Sequence, residues 1–94
     1  MKDLLKKIIE FRDKRGWRDH DTPDALAKSI IIEAAELLEN YQWPDENPDM
    51  ENVKEELADV LIYALAMAAD LGLDPEVIIE EKLQKNRNKY PETK

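Results

Sequence analysis

Two segments of this chain place paired carboxylates inside apolar helical patterns: Glu33 with Glu36 between Ile30 and Glu39, and Glu56 with Asp59 between Glu55 and Tyr63. At about 100° per residue, Ala27, Ile30, Ala34, Leu37, Leu38 and Tyr41 form an apolar stripe on the first helix, with the two glutamates to one side. On the second, Val53, Leu57, Val60, Leu61, Ala64 and Ala68 form the stripe, and Glu56, Asp59 and Tyr63 are offset in the same sense. A short connection enforces antiparallel packing. With facing stripes, equal offsets then bring the four acids to one side of the hairpin, with Glu33 and Glu56 level.

Carboxylates about 4 Å apart repel by on the order of 4 kcal/mol per pair at a surface-like dielectric, so four together need protons or a cation. The same spacing in an acidic chain also describes a solvated face, and Glu39, Glu46, Glu51, Glu55, Glu80 and Glu81 read that way. All-oxygen ligation suits Mg2+ or Mn2+, which accept phosphate oxygens in their open positions. Neither helix offers the Glu-x-x-His pairs of a di-iron bundle. Displacement at phosphorus is the chemistry such a site serves best, a spare carboxylate taking the proton of the attacking water.

The remaining punctuation predicts an all-α chain of four helices. Leu4, Leu5, Ile8, Ile9 and Phe11 repeat at helical spacing from about Asp3 to Arg15, where Gly16 stops the pattern. Arg15 to Asp21 reads as a loop holding Trp17 and His20. Thr22-Pro23-Asp24 opens the second helix, which runs to about Tyr41. Gln42 to Asn47 breaks the chain, Asn47-Pro48-Asp49 opens the third helix, and Gly72 follows its end at Leu71. Asp74-Pro75-Glu76 starts the fourth, which Pro91 terminates. Ile32, Ile62, Leu65 and Ala69 lie away from the first stripe, so a four-helix layer has surplus apolar faces and the bundle is expected to be completed by homo-oligomerisation.

Residues 1–94 read as a single domain. Lys plus Arg number 14 against 22 Asp plus Glu, a net charge of -8 that opposes binding to nucleic acid or an anionic membrane. There is no cysteine, no apolar run long enough to span a bilayer, and no signal-like start, so a cytoplasmic protein is expected. The one basic stretch ends the fourth helix, with Lys82, Asn86 and Lys89 on one face; it either contacts phosphates or complements a helix C-terminus.

Glu33-Ala-Ala-Glu36, Glu56-Leu-Ala-Asp59-Val-Leu-Ile-Tyr63 and Lys82-x3-Asn86-Arg87-x2-Tyr90-Pro91 together resemble the MazG-like all-α nucleoside triphosphate pyrophosphohydrolases, closest to the dCTP pyrophosphatase branch. The resemblance implies Mg2+-dependent hydrolysis between the α and β phosphates, releasing monophosphate and pyrophosphate in nucleotide-pool house-cleaning. It makes Glu33, Glu36, Glu56 and Asp59 metal ligands, with Glu33 or Glu36 also handling the attacking water. Lys82, Asn86, Arg87 and Tyr63 would hold phosphates, and Trp17, His20 and Trp43 match positions lining the base pocket. It further implies a homodimer or dimer of dimers with shared sites. The substrate expected is a pyrimidine deoxynucleotide such as dCTP or a modified form. A phosphoribosyl-ATP or broad-specificity pyrophosphohydrolase, or a non-catalytic helical dimerisation or metal-binding module, are the alternatives.

Overall fold

The computed structural model describes residues 1–44 and 47–93; Asp45 and Glu46, in the sequence-predicted break, and Lys94 lie outside the described residues. Four α-helices follow one another: α1 (Lys2–Lys14), α2 (Pro23–Glu39), α3 (Met50–Asp70) and α4 (Pro75–Lys89). A single 3-10 turn, Trp17–Asp19, lies between α1 and α2, and no strand occurs among the described residues.

Side-chain caps set three of the starts. Thr22 Oγ1 accepts from the Ala25 N–H at 3.4 Å and donates to Asp24 at 2.6 Å, with Pro23 in the first turn. Asp74 accepts from the Glu76 and Val77 N–H groups at the head of α4. At α3 the cap is Asp49 rather than Asn47, its carboxylate accepting from Glu51 and Asn52, so Pro48 precedes the cap instead of following it. One oxygen of the carboxylate accepts from two free N–H groups at once; each such cap contributes about 1 kcal/mol. α2 ends at Glu39 rather than Tyr41, because Asn40 and Tyr41 close onto Leu37 and Leu38 carbonyls with tighter bonds. Gly72, at φ 70°, turns the chain between α3 and α4, the left-handed geometry that favours glycine.

α2 and α3 pack antiparallel. Leu26 shares a core cluster with Ala66, Glu33 meets Glu56 and Asp59 midway, and Asn40 Nδ2 donates to Asn52 Oδ1 at 2.8 Å at the other end. α1 lies on the flank of α3, inserting Ile8 beside Leu26 and Ala66, with Tyr63, Leu65 and Met67 packed around them.

That flank packing corrects the expected rotation of the hairpin. The acids are not beside an apolar seam; Glu33 and Glu56 lie in the seam, in the sector of Asn40 and Asn52, while Ala34, Leu38, Tyr41, Leu57, Leu61 and Ala64 of the predicted stripes are exposed. α1 draws the core towards the Tyr63 and Ala66 side of α3, and the opposite apolar face is left uncovered within one chain. Ile31 and Leu38 are 70% and 64% exposed there.

Among the described residues α4 packs on α3, with Glu76 3.8 Å from the Met1 amino group, leaving Val77, Ile78, Ile79 and Leu83 exposed. The radius of gyration, 16.0 Å, accordingly exceeds the roughly 12–13 Å of a compact chain this long.

Candidate active site

The α2–α3 seam gathers the acids by register. Three and four residues make one helical turn, so Glu33 and Glu36 rise on one face of α2 while Glu56 and Asp59 do so on α3. One carboxylate oxygen from each of Glu33, Glu56 and Asp59 lies within 4.8 Å of the others, and all three residues are half-buried. Glu36 adjoins them closely enough to act on the protons of both Glu33 and Glu56.

Electrostatics record the crowding. Glu33 is pushed up to about 7, first by a hydrogen bond shared with Glu56, then by burial and by Glu36. For Glu56 the bond from Glu33 pulls downward, but burial and the neighbouring Glu36 and Asp59 outweigh it and leave its pKa raised. The crowding therefore favours the protonated form of both carboxyls when no cation is bound. Tyr63, one turn beyond Asp59, is raised by burial and then by Glu33, so it stays a neutral donor.

The donor set fits a hard divalent cation on a structural ground. Glu33 Oε2 and Glu56 Oε2 are buried without a hydrogen-bond partner. A buried carboxylate oxygen left unpaired is costly, and a cation at the common centre would satisfy both. Oxygen-only ligation with positions to spare matches Mg2+ or Mn2+.

Beside the acids, α1, the 3-10 turn and α3 enclose a cavity of about 390 Å3 whose walls include Phe11, Trp17, Ile62, Tyr63 and Asp59. Phe11 and Trp17 meet edge to face, ring centroids 5.5 Å apart, and the Arg15 guanidinium lies over the Phe11 ring at 3.5 Å. Asp59 thus belongs both to the carboxylate cluster and to the cavity wall, and Tyr63 in the same wall feels the charge of Glu33 and Asp59.

A charged clasp fixes the cavity's far side. Arg12, only 3% exposed, donates through both terminal nitrogens to Asp70 at 3.0 and 2.8 Å. The hydrogen bonds raise the arginine pKa and lower that of Asp70. Arg18 reaches Asp70 at 3.8 Å and Asp13 at 3.3 Å, while Arg12 Nε stands 3.9 Å from Asp21. The clasp joins α1, the turn and the end of α3.

Of the sequence candidates, Glu33, Glu36, Glu56, Asp59, Tyr63 and Trp17 converge on this region. His20 and Trp43 are exposed and do not line the cavity. Lys82, Asn86 and Arg87 lie on α4, which makes no packing contact with α2, so one chain does not bring them to the acids. Arg87 donates instead to Gln84 at 2.9 Å. Sequence reasoning missed Phe11, Arg12, Asp21 and Asp70. Arg12, four residues beyond Ile8 on the buried face of α1, was the available signal, since a charge in an apolar stripe demands a partner.

The MazG-like family model matches residues 28–94, a span holding all four acids and the whole of α4. The chain belongs to the MazG-like family. It is 33% identical to dCTP pyrophosphatase 1 of Bos taurus and 32% identical to that of Homo sapiens, in each case over 97% of this chain and 59% of the relative. The MazG-like chain therefore spans less than two thirds the length of these mammalian relatives. A solved pyrophosphatase from Archaeoglobus fulgidus DSM 4304 is 44% identical and superposes with a TM-score of 0.86, over 98% of this chain and 93% of that one.

Proposed function

We propose that the protein is a metal-dependent nucleoside triphosphate pyrophosphohydrolase, adding water across the α–β phosphoanhydride to give a nucleoside monophosphate and pyrophosphate. The observation that carries this reading is the continuity of the carboxylate cluster with the aromatic cavity through Asp59 and Tyr63. A nucleotide with its base between α1 and α3 extends its phosphates over the acids. The names of the mammalian relatives favour dCTP or a modified pyrimidine deoxynucleotide as substrate.

Glu33, Glu36, Glu56 and Asp59 would hold the cation, which supplies charge neutralisation for the phosphates and favours ionisation of the attacking water. The other roles fall to the chain itself. Glu33 or Glu36 accepts the proton of the water, a task open to a carboxylate beside the cation. Tyr63 donates to a phosphate oxygen from the cavity wall. Trp17 and Phe11 exclude water around the base.

The reaction also needs cations on the phosphates, and Lys82, Asn86 and Arg87 reach the acids only from the α4 of a second copy. Residues 1–94 thus form a single domain that works as a homodimer or dimer of dimers. The uncovered face of Ile31, Leu38, Leu57 and Leu61, with the bare α4, supports such an assembly and completes the bundle. A cytoplasmic nucleotide pool is the setting this chemistry suits.

The test is pyrophosphate release from a panel of ribo- and deoxynucleoside triphosphates with and without Mg2+, run on the wild type and on Glu36→Gln and Asp59→Asn. Mg2+-dependent turnover lost in both variants is expected. Turnover that persists in folded variants would sink the assignment of the acids.

A further inference from the structure

The cavity wall carries four charged residues, Lys7, Arg12, Asp21 and Asp59. Three are accounted for or outlying: Asp59 belongs to the carboxylate cluster, Arg12 is committed to Asp70, and Lys7 is exposed on α1. Asp21 is left. Its backbone is fixed on both sides, because its N–H donates to the Trp17 carbonyl at 2.8 Å and the next residue, Thr22, caps α2. Its side chain is 29% exposed, and Arg12 Nε stands behind Oδ2 at 3.9 Å, beyond hydrogen-bond reach. Among the described residues the Asp21 carboxylate accepts no hydrogen bond. The result is a firmly placed carboxylate with open lone pairs in the wall that also holds Trp17.

An ionised carboxylate accepts and cannot donate. Facing a planar base, it pairs with an exocyclic amino group and repels a carbonyl oxygen in the same place. Cytosine and adenine carry such an amino group; uracil, thymine and guanine present a carbonyl there. We infer that Asp21 is the residue by which the cavity selects an amino-bearing base over its carbonyl counterpart. This rests on the proposed nucleotide hydrolysis and names how that site chooses its substrate. Discrimination of this kind is large because the wrong base leaves a buried polar group opposed.

The experiment compares kcat/KM for dCTP and dUTP, with Mg2+, in the wild type and in Asp21→Asn, and measures dCMP and dUMP binding without metal by calorimetry. The wild type is expected to favour dCTP by on the order of 100-fold. In Asp21→Asn the ratio is expected to fall about tenfold or more, through KM rather than kcat, since the amide can turn its NH2 towards a carbonyl. An even wild-type ratio, or a preference for dCTP unchanged in a folded Asn variant, overturns the inference while leaving the hydrolysis intact. If no triphosphate is hydrolysed, the functional reading fails separately, and the monophosphates then test Asp21 alone: tighter dCMP binding that Asp21→Asn abolishes supports it, and equal or absent binding overturns it. Asp21→Ser takes the same measurements should the Asn variant melt early.

Discussion

The seam between α2 and α3 and the cavity beneath α1 adjoin each other and are built on opposite principles. The seam concentrates like charges: four carboxylates and two buried oxygens without partners. The cavity is apolar and aromatic, and where charge enters its wall at Arg12 it is paired bidentately with Asp70. One region stores an electrostatic demand that a ligand can relieve; the other pairs its central charge through Arg12 and Asp70 and offers shape, with Asp21 left open in its wall. Chemistry belongs to the first and recognition to the second, and Asp59 with Tyr63 is where they meet.

If that division holds, damage to each region has a different signature. The largest effect is expected at the seam, where Asp59→Asn or Glu36→Gln should lower kcat by on the order of 10^3-fold with little loss of fold, read by pyrophosphate release and circular dichroism. Breaking the clasp comes next. Arg12→Leu leaves Asp70 without its partner and should cost about 3 kcal/mol, seen as a lowered denaturation midpoint. Trp17→Ala should raise KM roughly tenfold while kcat changes little, because an aromatic wall contributes binding and not proton transfer. A fall in kcat with unchanged KM would erase the division.

A pH dependence sharpens the account of the seam. Glu33 has a folded-state pKa of about 7 against an ordinary 4.5, so between those values the folded chain keeps a proton that the unfolded chain releases. Stability of the metal-free protein should therefore fall as pH rises from about 5 to 7 and level off beyond. Below about 4.5 both states are protonated and the dependence vanishes. Glu33→Gln should flatten the slope and raise the metal-free melting temperature at pH 8, whereas Mg2+ should raise it in the wild type only. Thermal melts over that pH range, with and without Mg2+, check both statements.

Much of the seam was legible from periodicity. Glu33, Glu36, Glu56 and Asp59 fall at one-turn spacing, and a short connection makes the helices antiparallel, so their convergence follows from helical geometry. The rotation of the hairpin was not legible. It depends on where α1 packs, and neither the stripe of Ile30 and Leu37 nor that of Val53 and Val60 contains that information. The cavity was harder still. Trp17 stood out in its loop, but Phe11 reads as one more apolar residue of α1, and Asp21 is indistinguishable from any polar loop residue until Arg12 and Asp70 are seen to fix the wall around it. Long-range pairs such as Arg12 with Asp70, 58 residues apart, leave no local pattern. The position of α4 escaped for a related reason: its cap and its basic end are local features, while Ile79 and Leu83 stay exposed among the described residues and give no packing pattern to place it.

The Arg12–Asp70 clasp has an evolutionary consequence. The wall that carries Phe11, Trp17 and Asp21 is joined to the α2–α3 hairpin by the ion pairs of Arg12 and Arg18 with Asp70 and by the small apolar patch around Ile8. Such a wall is exchangeable. A replacement α1 and turn that kept an arginine for Asp70 would dock in the same place with different side chains towards the ligand. The wall can then drift independently of the carboxylate cluster, and under the proposed reaction a lineage could acquire a new nucleotide without rebuilding the acids.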